Sequence, residues 1–194
     1  KIKDQIVREK SNLFKSFLIK TPYKFDYGKI KKFKKFNSVI VIGMGGSILG
    51  AKAIYSFLRH KIKKKFTFID NLDQELLVKS SKENKLSKTL FLIVSKSGNT
   101  NETIINLSYF KRFLKRSNVI ILSEKKDNTL FRFAKENNFT FIEHNPYIGG
   151  RYSVFSEAGM LPAYLMGLKP NNFKKNLHRF LNNKKDLNKL LKNL

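Results

Sequence analysis

The residues best suited to chemistry lie close together in Ser95-Lys96-Ser97-Gly98-Asn99-Thr100-Asn101-Glu102-Thr103. Hydroxyls at 95, 97 and 100 surround a glycine, and an amphipathic run begins directly afterwards. The residues just ahead of them, 89–94, are almost wholly apolar, so the order is buried strand, hydroxyl-rich turn, helix. A helix start leaves its first amides without intrahelical partners, and its dipole favours negative charge there. Hydroxyls, open amides and a glycine that admits a ligand to the backbone together suit a dianionic phosphate. Each charge-assisted hydrogen bond would contribute roughly 1.5–3 kcal/mol. A capping box, with Asn99 at the N-cap and Glu102 three residues on, explains part of the stretch without any ligand. It does not require the three hydroxyls. Lys96 is a further binding candidate, through its backbone amide rather than its ammonium, because a turn lysine is ordinarily solvated.

Two more turns carry unusual residues. Gly43-Met44-Gly45-Gly46-Ser47 follows the apolar run 38–42 and opens a helix. A dinucleotide fingerprint with Asp70 on the ribose is one reading, but its third glycine would fall at Ile48 and the next glycine is Gly50. The paired glycines and the Ser47 hydroxyl instead leave backbone and side chain open to a ligand. Gly149-Gly150-Arg151-Tyr152-Ser153 sets a lone arginine after a glycine pair. This suggests a guanidinium aimed into a site from which the backbone is kept clear; an ion pair with Glu157 is the alternative. His60 and His178 lie in basic surroundings and read as solvated, His144 precedes the arginine turn, and Ser153 and Ser156 read as caps. No His/Asp/Glu set has metal-ligand spacing, so neither a metal nor another cofactor is expected.

The elements that hold these turns follow from periodicity. Residues 2–19 read as an amphipathic helix and 20–37 as a loop. Strands are expected at 38–42, 66–69, 89–94, 119–122 and 139–142, and helices at 48–58, 74–79, 101–115 and 129–137. Residues 155–166 are apolar but contain Pro162, which predicts a kinked or broken helix. Short lysine-rich helices are expected near 171–181 and 186–194. Five strand–helix alternations imply an α/β fold: a parallel sheet covered on both faces, with ligands at the carboxyl ends of its strands. All three turns then share one sheet edge. Their adjacency does not follow without a strand order.

The 194 residues suffice for one domain with a real core. The chain has no cysteine, which excludes disulfides and thiolate metal sites. No apolar run approaches a membrane span and no signal-peptide pattern opens the chain, so a cytoplasmic protein without membrane contact is expected. The chain opens on Lys1 and is expected to be a piece of a longer protein. A net charge of +26 invites a nucleic-acid reading, but only seven of the 40 basic residues are arginine, the side chain suited to bidentate phosphate contacts. The lysines sit among Asn, Ile and Phe throughout, as a compositional habit would place them, so no nucleic-acid partner is expected.

Together, the segments 43–50, 95–103 and 149–159 resemble, in order and approximate spacing, the sugar-isomerase (SIS) domain, specifically the first such domain of the glucose-6-phosphate isomerase family. Gly149-Gly150-Arg151-Tyr152-Ser153-Val154-Phe155-Ser156-Glu157-Ala158-Gly159 is the most specific of the three. The resemblance implies a three-layer αβα sandwich of flavodoxin type spanning 38–168. Residues 1–37 would be an N-terminal helix and loop, and 169–194 a helical extension towards a second SIS domain. It implies that Ser95, Ser97 and Thr100, with the amides of Lys96 and Ser97, hold the phosphate of glucose 6-phosphate or fructose 6-phosphate. Gly46, Ser47 and Gly150 would line the sugar, Arg151 would stabilise a cis-enediolate, and Glu102 would support a ring-opening histidine. The proton-transferring glutamate, that histidine and a C-terminal lysine would all come from outside this chain, in a homodimer, leaving the fragment inactive alone. The Ser-Gly-Asn-Thr form at 97–100 leaves open a bifunctional phosphoglucose/phosphomannose isomerase. A stand-alone phosphosugar-sensing module is the non-enzyme alternative.

Overall fold

The computed structural model describes residues 21–183. The expected helices at 2–19 and 186–194 lie outside these residues. Five parallel strands form one sheet: β1 (Ser38–Ile42), β2 (Lys65–Ile69), β3 (Thr89–Val94), β4 (Val119–Ser123) and β5 (Thr140–Glu143). Their spatial order is β2-β1-β3-β4-β5. The helices are α1 (Tyr27–Lys31), α2 (Gly46–Phe57), α3 (Gln74–Glu83), α4 (Asn101–Tyr109), α5 (Thr129–Glu136), α6 (Glu157–Leu165) and α7 (Pro170–Asn182).

Strand alternation divides the core into two layers. Val39, Val41, Leu90, Leu92, Ile120 and Leu122 pack against Ile48 and Ile54 of α2 and the apolar body of α6. Ile40, Ile42, Phe91, Ile93, Val119 and Ile121 face the other way, onto Leu77 of α3, Leu107 of α4 and Leu130 of α5. This is the three-layer αβα sandwich. All six residues of β3 are buried, and each fully buried aliphatic or aromatic side chain contributes about 1.5–3 kcal/mol.

Several boundaries differ from the sequence expectation. Residues 20–37 are not all loop: Asp26 accepts from Gly28 N at 2.7 Å to start α1, and a 3₁₀ turn at Lys32–Lys35 follows. Ile30 and Phe33 join the core there, a helical spacing hidden among lysines. Helix α4 stops at Tyr109, because the chain tightens into a 3₁₀ turn at Lys111–Phe113 that carries Phe110 inward onto Phe91. Strand β5 starts one residue late, because Asn138 takes a left-handed φ of 51°. The break expected at Pro162 does not occur: α6 runs through it, and Met166 N donates to Pro162 O at 2.8 Å. Proline forfeits only its own N–H bond, and α6 is held by burial on nearly every side.

Candidate active site

In an open parallel sheet, ligands bind where the strand order reverses direction. Here that point lies between β1 and β3, which are hydrogen-bonded neighbours with Ile42 opposite Ile93. The turns after these strands are therefore adjacent, which the sequence did not disclose. Contact is tight enough that a Cβ on Gly43 would lie 2.6 Å from Val94 O.

The turn after β3 gathers its hydroxyls. Ser95 Oγ lies 2.8 Å from Thr100 Oγ1, Ser97 Oγ lies 3.3 Å from Thr100 Oγ1, and the two serine oxygens are 3.5 Å apart. Gly98 N donates to Ser95 Oγ and Asn99 N to Ser97 Oγ. Gly98 has φ +70°, which only glycine adopts freely, and a Cβ there would lie within 1.9 Å of the Asn128 carboxamide oxygen.

The expected capping box at 99–102 is not formed. The N-cap of α4 is Thr100, whose hydroxyl is turned to the serines and makes no capping bond. Asn99 Oδ1 instead accepts from Thr129 N at 2.9 Å, at the start of α5. An asparagine carboxamide caps whichever free amide it reaches, and here that amide is at the start of α5. The first turn of α4 is thus left without a side-chain cap beside three hydroxyls. Glu102 is exposed in that turn.

Lys96 is drawn away from the hydroxyls. Its ammonium donates to Pro146 O at 2.6 Å and lies 3.7 Å from Glu124, tying the hydroxyl turn to the loop after β5. Asp70 pairs with Lys52 at 2.5 Å.

The turn after β1 meets the arginine turn directly. Gly45 begins α2 with φ +51° and offers no capping side chain. A Cβ on Gly46 would lie 2.2 Å from the Gly150 carbonyl carbon. Ser153, expected as a cap, instead donates its hydroxyl to both Gly46 O and Gly150 O at 2.8 Å. Ser156 is the cap, accepting from Ala158 N at 3.3 Å. Arg151 is exposed and makes no ion pair among the described residues. The alternative pairing with Glu157 is absent: Glu157 is buried and accepts from Lys24 N at 2.9 Å. Ser47 is half-buried at the head of α2.

Sequence reasoning missed Asn128, which packs against the hydroxyl turn. Its Oδ1 caps α5 through Phe131 N, and its Nδ2 donates to Glu124 O and Lys126 O. Its place before Thr129 signals the cap but not the contact with Gly98. His144 is buried, its Nδ1–H donating to Asn145 O at 2.9 Å, and burial pushes its pKa below the ordinary histidine value. Among the described residues, no group of three or more His, Asp or Glu is placed to hold a metal ion, and no helix is long and apolar enough to cross a membrane.

A profile of the phosphoglucose isomerase family matches residues 8–189. The chain belongs to the phosphoglucose isomerase family. The glucose-6-phosphate isomerase of Methanocaldococcus jannaschii is 34% identical over 149 residues, which cover 75% of this chain and 37% of that protein. Among solved structures, hypothetical protein TT0462 from Thermus thermophilus shares the fold with a TM-score of 0.73 and 22% identity, over 91% of this chain and 45% of that one. A glucose-6-phosphate isomerase from Chlamydia trachomatis matches 74% of this chain and 28% of its own with a TM-score of 0.60 and 26% identity. The chain thus spans less than half the length of each of these proteins.

Proposed function

We propose that this chain is the N-terminal SIS domain of a glucose-6-phosphate isomerase, and that it binds the phosphate of glucose 6-phosphate or fructose 6-phosphate at the turn after β3. The observation that carries this reading is the uncapped start of α4 beside the Ser95, Ser97 and Thr100 hydroxyls. Three hydroxyls donate to phosphate oxygens, and the open amides and dipole of α4 favour the dianion. The amides of Lys96 and Ser97 add donors. With the phosphate held, the sugar extends towards Gly46, Ser47 and Gly150, where glycine backbone and the Ser47 hydroxyl meet it. Binding energy from the remote phosphate then positions carbons one and two for reaction.

Arg151, without an acidic partner among the described residues, stabilises the negative charge of the cis-enediolate. Glu102 stands in the first turn of α4 to support a ring-opening histidine supplied from outside this chain. The other glutamates of the region are engaged elsewhere: Glu157 is buried and accepts from Lys24 N, Glu143 pairs with Lys24, and Glu124 pairs with Lys96 and Lys126. In keeping with the family resemblance, the base comes from sequence beyond this domain, in a homodimer working in the cytoplasm. Calorimetric titration with fructose 6-phosphate, alongside a coupled turnover assay, tests the reading. Binding without turnover supports it. Turnover by the 194 residues alone, at the rate of a full-length family member, would remove the need for a second domain.

A further inference from the structure

Charge is sorted between the two ends of the sheet. Because the strands are all parallel, the segments that lead into them share one edge, opposite the candidate site. Residues 58–65, 27–37, 84–88 and 110–118 lead into β2, β1, β3 and β4, in their spatial order. They carry five, five, two and four lysines or arginines, and no aspartate or glutamate. The turns that leave the same strands, 70–73, 43–45, 95–100 and 124–128, hold four acids and three lysines. A compositional habit would load both ends alike. Helix C-termini reach the basic edge and favour cations, which accounts for a lysine at a helix end but not for the exclusion of acids.

The four segments form one continuous surface. Lys64 Nζ donates to Lys34 O at 2.6 Å, Ser38 Oγ to Asn84 Oδ1 at 2.7 Å, and Asn118 Nδ2 to Thr89 O at 3.1 Å. Lys31, Lys63, Lys88 and Lys115 stand exposed on it, one from each segment. Among the described residues, Lys65 alone in the four segments pairs with a carboxylate, that of Glu83. Repulsion is already felt there: burial and the neighbouring Lys34 charge lower the pKa of Lys64. Two aromatic rings flank the row, Phe57 at the end of α2, 83% exposed, and Tyr109 at the end of α4, 40% exposed. Helices α2 and α4 cover opposite faces of the sheet, so one ring stands on each side.

A row of unpaired ammonium groups suits a chain of phosphates. Lysine is a point charge without the guanidinium fork, so it meets phosphates rather than base edges. Exposed rings beside such a row suit the faces of unpaired bases. A membrane surface would call for aliphatic anchors, yet the large exposed aliphatic side chains, Leu49, Leu72 and Ile105, border none of these segments. We propose that this edge binds single-stranded nucleic acid without sequence preference, its lysines holding phosphates and Phe57 and Tyr109 stacking on bases. This reverses the expectation drawn from composition. It does not rest on the isomerase reading, because strands such as β1, five residues long, put roughly 16 Å between the two edges.

The test is fluorescence anisotropy of a labelled oligouridylate of about 12 nucleotides, titrated with the 194-residue chain at increasing salt. The logarithm of affinity should fall with that of salt by about 0.7 per phosphate neutralised. Lys31→Gln, Lys63→Gln and Lys115→Gln together should make that slope shallower by about 2, and each should weaken binding about fivefold at about 0.1 M salt. The matched triple Lys125→Gln, Lys126→Gln and Arg132→Gln removes the same charge beside the start of α5, and should leave affinity within about twofold. Phe57→Ala, at an exposed position, should weaken binding of the oligouridylate but not of inorganic polyphosphate. Fructose 6-phosphate should not compete. The proposal is overturned by equal losses in the two triples, or by affinity unchanged in both Phe57→Ala and Tyr109→Ala. Competition from fructose 6-phosphate, or tighter binding to phosphatidylserine vesicles than to the oligouridylate, would overturn it as well.

Discussion

Replacing Gly46 by alanine probes the seam between the turn after β1 and the arginine turn. The added methyl would lie 2.2 Å from the Gly150 carbonyl carbon and 2.4 Å from its oxygen, whereas ordinary contact begins near 3.4 Å. Both neighbours are backbone atoms, so no rotamer change relieves the clash and the turns must part by about 1 Å. Overpacking of this kind costs about 1–3 kcal/mol. Parting also breaks the bond from Ser153 Oγ to Gly46 O, a further loss of about 0.5–1.5 kcal/mol. Alanine recovers about 0.5–1 kcal/mol through its better helix propensity. The net is a destabilisation of about 2 kcal/mol, or roughly 4–8 °C in Tm for a chain of this length. Thermal unfolding followed by circular dichroism measures it. Ser153→Ala alone should cost about 1 kcal/mol. The double variant should cost less than the sum, because Gly46→Ala has already broken the bond that the second change removes. A Tm for Gly46→Ala within about 1 °C of the parent would refute the rigid seam. Strict additivity in the double variant would refute the bridging hydroxyl.

Asn99→Ala should lose the bond to Thr129 N and destabilise by about 0.5–2 kcal/mol, and hydrogen exchange should rise in α5 rather than α4. Protection lost only in α4 would restore the capping box. Thr100→Val should weaken fructose 6-phosphate binding by roughly tenfold or more, the loss of one charge-assisted bond, with little change in Tm; unchanged affinity would move the phosphate elsewhere. His144 yields a pH prediction. Burial lowers its folded pKa, so its contribution is intact above the unfolded value of about 6.5 and drains away as pH falls from there towards the folded value. Urea unfolding at about pH 7 and about pH 5.5 should show a smaller acid loss for His144→Gln than for the parent; equal losses would contradict the assignment.

The parts of this molecule that were legible from sequence are those governed by local pattern. Strands β1 and β3 match their expected limits because apolar and β-branched runs end at Gly43 and at the hydroxyl turn. What escaped was decided by distant residues. Nothing near 95–100 announces that Asn99 reaches forward to Thr129, or that Asn128 fills the space beside Gly98. Phe110 fits the periodicity of a longer α4, and only its contact with Phe91 shows why the helix tightens there. Glu157 reads as an ordinary first-turn carboxylate, and its burial depends on residues 21–24 folding over it from more than 130 positions away. The meeting of the turns after β1 and β3 was likewise invisible, because it depends on β1 pairing with β3 across the intervening β2.

That crossing has a kinetic consequence. The bond from Ser153 to Gly46 closes a loop of 107 positions. Long-range closures of this kind are late and slow events in folding. A nascent chain that has emerged from the ribosome only as far as α4 already carries the serine and threonine hydroxyls but has neither β5 nor the arginine turn. Only after residue 153 has been synthesised can Gly46 be clasped from both sides. A molecule that requires the clasped form would then favour finished domains over partial ones, and lend them stability in proportion to the logarithm of its concentration.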